Sequence, residues 1–199
     1  MPKLVDLTER KQFITHATWK IMLEQGMEGV SVRNIAKEAG LSLGALRYYF
    51  STQEELLLYA ESLVFEKLTE KTIEIFQEEK RPLEKIIDVL MAFLPSKDES
   101  DMVARVRLIF KLHGSTGRKN YREEQDAALQ AVKNIMSNLI LLNLLKKELD
   151  VSLETDRLIH LLDGMVLDAM VRAERITKGQ QRKTIVHHLN TICKEDVGR

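Results

Sequence analysis

The stretch Ser31–Phe50, reading SVRNIAKEAGLSLGALRYYF, constrains this chain more than any other. Two short helices with one turn between them fit it. Ala36 must be small because the second helix crosses close above it. Gly40 ends the first helix in the left-handed conformation that glycine enters cheaply, and Leu46 is the apolar lock of the second. Ile35, Ala39, Leu41 and Tyr49 fill the apolar positions between and after these. Ser42 stands where a hydroxyl accepts from the free N–H groups that open the second helix. The outward face of that helix then carries Gly44, Ala45, Arg47 and Tyr48, as expected of a recognition helix for the major groove of DNA.

Charge limits how such a motif would work. The chain has 199 residues, with 30 basic and 30 acidic side chains and a formal net charge of zero. Even Met1–Gln53 has only seven basic residues against five acidic ones. Broad electrostatic capture of nucleic acid normally shows as a basic excess, so a few placed contacts must carry the affinity, which should be modest and salt-sensitive. Hydrophobic residues make up 44% and charged residues 30%, an ordinary globular balance. No apolar run reaches the roughly 18–20 residues of a membrane span, and the start MPKLVDLTERK lacks a signal-peptide core. Cys193 stands alone, which excludes an internal disulfide and points to a reducing compartment; the expected location is the cytoplasm.

The remainder reads as helix. Three prolines and nine glycines leave long uninterrupted stretches, and no alternating run is long enough for a strand. The spacing predicts an all-α chain of about nine helices, at roughly 8–25, 32–39, 43–49, 53–79, 82–94, 98–113, 123–148, 153–177 and 181–196. Phe13, Ile14, Ala17, Ile21 and Met22 would form the inner face of the first, flanked by Trp19. Ser51 or Thr52 with Glu54 or Glu55, and Ser96 with Glu99, offer capping boxes. Residues 114–122 read as a loop. Residues 1–52 form a three-helix unit and 53–199 a larger helical domain, with helix 53–79 coupling the two.

The helix at 153–177 is too apolar to be buried on one side only. Leu158, Ile159, Leu161, Leu162, Met165, Val166, Leu167, Met170 and Val171 cover more than half its circumference. The last helix adds Ile185, Val186, Leu189, Ile192 and Cys193. Pairing these two helices about a two-fold axis gives a four-helix homodimer interface, with Gly164 permitting close approach. Met91, Phe110, His113, Met136, His160 and Met165 are the candidate lining of a small-molecule cavity. The alternative for each is an ordinary core or surface role. Enzyme chemistry has little to stand on. None of His16, His113, His160, His187 and His188 has a metal-ligand spacing, and neither a metal nor a cofactor is expected. HGSTGRK (113–119) follows a helix rather than a strand and so does not read as a phosphate loop.

Residues 8–59, through GMEGVSVRNIAKEAGLSLGALRYYF and the following STQEELL, resemble the N-terminal domain of the TetR family of transcriptional repressors. LIHLLDGMVLDAM (158–170) is similar to a penultimate-helix stretch of many members. The resemblance implies a homodimer, a three-helix DNA-binding domain, and a C-terminal domain that dimerises and binds a small effector. Carried over residue by residue, it places Ser31 and Arg33 at a phosphate or base edge and Ser42, Gly44 and Ala45 in the groove. Arg47 would meet guanine O6 and N7. Tyr48 and Tyr49 would hold phosphates through their hydroxyls. The family often has an aromatic residue at the position of Arg47, which leaves base and phosphate both open for it. Gln53 replaces the family's usual lysine, removing a charge while keeping a donor. The function so implied is a repressor released from a palindromic double-stranded DNA operator by a small molecule. Two alternatives stand beside it: a DNA-binding factor without a ligand, and a helical binding protein whose motif is vestigial.

Overall fold

The computed structural model describes residues 4–95, 100–117, 126–172 and 177–197, with side chains omitted at 4–6, 100, 101 and 114–117. Nine α-helices and no strand occur among the described residues. The first is α1, Leu4–Gln25, which starts earlier than the pattern predicted because no glycine or proline interrupts it. A 3-10 turn at Met27–Gly29 leads into α2 (Val32–Glu38), α3 (Leu43–Tyr49) and α4 (Gln53–Gln77).

The local signals in this part perform as written. The Ser31 hydroxyl accepts from the Asn34 amide at 3.2 Å, and the Ser42 hydroxyl accepts from the Ala45 amide at 3.1 Å. Gly40 has φ +63°. The Leu41 amide donates to the Ala36 carbonyl at 2.8 Å and the Gly40 amide to that of Lys37 at 3.1 Å, the paired bonds that close a helix through a left-handed residue. Thr52 caps α4 by accepting from the Glu55 amide, while the Glu55 carboxylate reaches back to the Ser51 amide at 2.8 Å.

The inner face of α1 differs from the expected one. Ile14, Thr18, Trp19, Ile21 and Met22 are buried, whereas Phe13 is 49% exposed under the Arg10 guanidinium. Trp19 is therefore central rather than flanking. Its indole N–H donates to the Ala60 carbonyl at 3.3 Å and so ties α1 to α4.

The remaining helices form the body: α5 (Pro82–Ala92), α6 (Ser100–Gly117), α7 (Ala127–Leu141), α8 (Val151–Val171) and α9 (Lys178–Ile192). Helix α6 continues to Gly117 into the segment expected as a loop; the rest of that segment, like Ser96 and Glu99, lies outside the described residues. Helix α7 stops at Leu141, not near 148. Asn143 adopts φ +54°, the Leu144 amide donates to Leu139 and the Asn143 amide to Ile140, both at 2.9 Å. Asparagine thus performs the C-terminal turn usually given to glycine. The chain then pairs with the end of α9: the Lys146 amide donates to the Ile192 carbonyl and the Lys194 amide to that of Leu144, around a Leu145–Cys193 bridge. Asp150 caps α8, and Thr177 with Gln180 forms a capping box on α9.

Two buried polar features lie in this body. Arg107 and Lys111 of α6 face Asp163 of α8 and Asp126, the cap of α7. The Arg107–Asp163 contact is 2.8 Å and Lys111–Asp126 is 2.9 Å, and Lys111 also bonds Asp163. Burial alone would lower the Lys111 ammonium, but its bonds to the two aspartates hold it above its ordinary value. His188 of α9 is buried, with Nε2 lacking a hydrogen-bond partner. Burial, then the Arg157 guanidinium and His187, push its pKa below the ordinary histidine value of 6.5 against the opposing charge of Glu154. Unfolding therefore takes up a proton, so this stability is present above pH 6.5 and is lost as pH falls below it. The thermal midpoint should decline on acidification through that range, and His188→Gln should flatten the decline; an unchanged slope would show that other groups set it.

Candidate nucleic-acid interface

Helix α3 is held from behind by side chains of three neighbours. Leu46 and Phe50 are each 1% exposed. The Phe50 ring lies 5.4 Å from that of Tyr59 on α4, and the Lys11 ammonium of α1 sits 5.0 Å from the Phe50 ring centre. A short helix anchored this way presents its other face as a fixed surface.

That face carries most of the residues the sequence singled out. Arg33, Ser42, Gly44, Arg47 and Tyr48 are exposed, while Ser31, Ala45 and Tyr49 are half-buried. Tyr48, 71% exposed, stands edge-on to Tyr49 with ring centres 5.2 Å apart. Tyr49 packs partly against the core. Gln53 is exposed at the start of α4. Its side-chain N–H donates to the Val30 carbonyl at 2.7 Å and braces the turn before α2.

The electrostatics of α2 and α3 are one-sided despite the neutral chain. Arg33, Lys37 and Arg47 are exposed, and the one acidic residue, Glu38, is paired with Lys20 at 2.6 Å. Lys37 follows Arg33 by four residues and extends the same positive edge. Gly44 has no intramolecular reason to be glycine. A Cβ built there meets only its neighbour's Ser42 Oγ, at 4.0 Å. The absence of a side chain there leaves the surface of α3 open at its first turn.

A second feature is a cavity of about 430 Å³ that opens where α1, α4, α5 and α6 meet. Trp19, Leu68, Ala92, Met102 and Val103 form its apolar wall, and His16, Lys67, Glu70, Lys71 and Glu74 its polar rim. The six residues expected to line a ligand site do not come together here. Phe110, Met136 and Met165 are buried in the core, and Met91 and His113 are half-buried. His160 is exposed and lines instead a shallow groove between α8 and α9 with Arg157, Leu161 and His187. The helix faces that met were those of α1 and α4, and spacing within one helix does not reveal which neighbour it meets.

A glycine turn between two short helices, with the second held from behind and positive in front, defines a helix-turn-helix DNA-binding regulator on an all-helical body. More particularly, the chain belongs to the TetR family of bacterial regulatory proteins. Residues 14–60 match the family's N-terminal model, described as bacterial regulatory proteins of the tetR family, and residues 82–194 match that of the BetI-type transcriptional repressor C-terminal domain. The chain is 40% identical over 196 residues to the HTH-type transcriptional regulator PksA of Bacillus subtilis (strain 168), covering 98% of this chain and 96% of that one. Among solved structures, a transcriptional regulator from Rhodococcus sp. Rha1 has a TM-score of 0.72 at 22% identity, over 92% of this chain and 95% of that one. One from Saccharomonospora viridis, solved in complex with choline, has a TM-score of 0.76 at 18% identity, over 94% and 100%. These relatives are regulators of transcription rather than enzymes. No described helix is long and apolar enough to cross a membrane.

Proposed function

We propose that the chain is a homodimeric, cytoplasmic repressor that holds a roughly palindromic operator and releases it when a small molecule occupies its helical body. The observation that carries the DNA half is the exposed, positive, acid-free outer face of α3 fixed on buried Leu46 and Phe50. One such face makes few contacts, so two, about 34–36 Å apart on a dimer, would bind half-sites one helical turn apart. Repression is supported by the match of residues 82–194 to a repressor C-terminal domain.

The dimer reading rests on α8. Leu158, Ile159, Leu162 and Val166 are buried within the protomer, while Leu153, Leu167 and Val171 on its outer side are 55%, 50% and 72% exposed. Helix α9 contributes differently from the sequence expectation, because Ile185, Leu189, Ile192 and Cys193 are already spent in the protomer's own core. Its outward residues beside α8 are Val186, His187, Asn190 and Thr191. The apolar part of the interface would come from α8.

The effector reading rests on the cavity, whose wall includes Trp19 and His16 of α1 and five residues of α4. A molecule seated there touches the DNA-binding unit and its coupling rod at once. Preference for one tilt of α4 would shift the population between binding and non-binding spacings of the two α3 helices, and DNA would oppose the effector by the same factor. That another chain of this fold was solved with choline shows that the architecture can accommodate a small molecule. The test is operator affinity measured with and without compounds that raise the protein's thermal midpoint. A lowered affinity is expected, and equal affinity for every stabilising compound would remove the coupling. Arg47→Ala should weaken specific binding by about 1–3 kcal/mol and relax preference at one base pair if it pairs with guanine. A uniform loss across all sequences, with a reduced salt slope, would make it a phosphate contact.

A further inference from the structure

We infer that Leu43 is a specificity-determining residue that reads the C5-methyl group of a thymine in each half-site. This rests on the DNA-binding reading above and adds a contact which that reading does not contain.

Leu43 is the first residue of α3 and is 43% exposed, though it lies beside a turn where a polar residue would cost nothing. No described element covers it, since the packed side of α3 is occupied by Leu46 and the residues around Phe50. It projects from the end of the helix that enters a major groove first, where side chains meet base edges. Next to it, Gly44 leaves open space. The helix can therefore sink until a short branched apolar group touches the groove floor. The surrounding charge fits a polyanion: Arg33, Lys37 and Arg47 are exposed and Glu38 is neutralised by Lys20.

Within the major groove, the thymine methyl is the one apolar feature that distinguishes a base pair. A leucine carries neither donor nor acceptor, so it gains nothing from the polar edges of the other bases and pays to desolvate them. Leu43 and Arg47 are four residues apart on one face, about 6 Å along the helix axis. With base pairs about 3.4 Å apart, the methyl should lie one or two steps from the base pair or phosphate that Arg47 meets.

The experiment uses the full-length protein and a duplex selected from a random pool for tight binding. Each thymine is replaced singly by deoxyuridine, which deletes the methyl and preserves pairing, and affinity is read by fluorescence anisotropy. One symmetry-related thymine pair should stand out, with roughly fourfold weaker binding per methyl lost, the worth of one buried methyl-sized group. Leu43→Ala should weaken binding to the thymine duplex by a similar or larger factor and bind the thymine and deoxyuridine duplexes equally. Its exposure means that the thermal midpoint should stay near the wild-type value. If no deoxyuridine substitution weakens the selected duplex, or if Leu43→Ala keeps the full thymine preference, the assignment is overturned while DNA binding stands. If selection enriches no duplex, the DNA-binding reading fails and this contact fails with it.

Discussion

Asp163→Ala is expected to lower the unfolding free energy by about 3–5 kcal/mol, the usual effect of removing one partner from a buried ion pair. The residue bridges two cations of α6, Arg107 and Lys111, and the Arg107 side chain is 5% exposed. Arg107 has little else to turn to. Its Nε and Nη1 have no hydrogen-bond partner, and Asp126 lies 3.6 Å away, an ion pair rather than a hydrogen bond. After the substitution the buried Arg107 and the half-buried Lys111 share one carboxylate. Denaturant unfolding would read the loss directly. A cost below about 1 kcal/mol would show that the cluster is hydrated and weakly coupled, as surface pairs are. Asp126→Ala should cost still more than an ion pair alone, because the same carboxylate accepts from the Ala128 and Leu129 amides at the start of α7.

Leu167→Glu is expected to split the proposed dimer and, with it, to reduce operator affinity by a factor on the order of 10²–10⁴, the gain that linking two binding units provides. In the protomer Leu167 is half exposed, so the new carboxylate stays in water and the fold is unharmed. In a dimer sealed along α8 the carboxylate would be buried unpaired, facing the partner's apolar stripe. Gly164 lies one turn earlier on the same side, and a Cβ built there meets nothing within 4 Å. Like Gly44, it is a helical glycine that the protomer's own packing does not require. Sedimentation should show the variant near the chain mass of 22.9 kDa and the parent near twice that. A variant that stays dimeric would place the interface elsewhere.

The parts legible in the sequence were those decided by near neighbours along the chain. Ser31, Gly40, Ser42 and Thr52 each act within five residues, through a cap or a left-handed turn, and the structure shows every one in that role. Long-range choices were harder. Phe13 and Trp19 are both aromatic and both fit a helical stripe, but only packing against α4 decided that Trp19 goes in. Asn143 ends α7 in a conformation few residues other than glycine adopt, and NLLKKELD otherwise reads as continuing helix. The Arg107 cluster could not be read from the chain because its two aspartates come from residues 126 and 163, far along the sequence. The bond from Gln53 to the Val30 carbonyl spans 23 residues and was not legible in the sequence. Which helix faces enclose the cavity at Trp19 was likewise not legible, since a cavity belongs to the faces of several helices at once.

The chain's single tryptophan sits in the wall of the cavity at the joint between the DNA-binding helices and the body. Trp19 is fully buried, and its indole is bonded to the backbone of α4. Its emission is therefore an unlabelled optical gauge of that joint, with no second indole to dilute the signal. Filling the cavity, or prising α1 from α4, changes the polarity around one fluorophore, so the intrinsic colour of the protein follows the movement proposed to separate it from DNA.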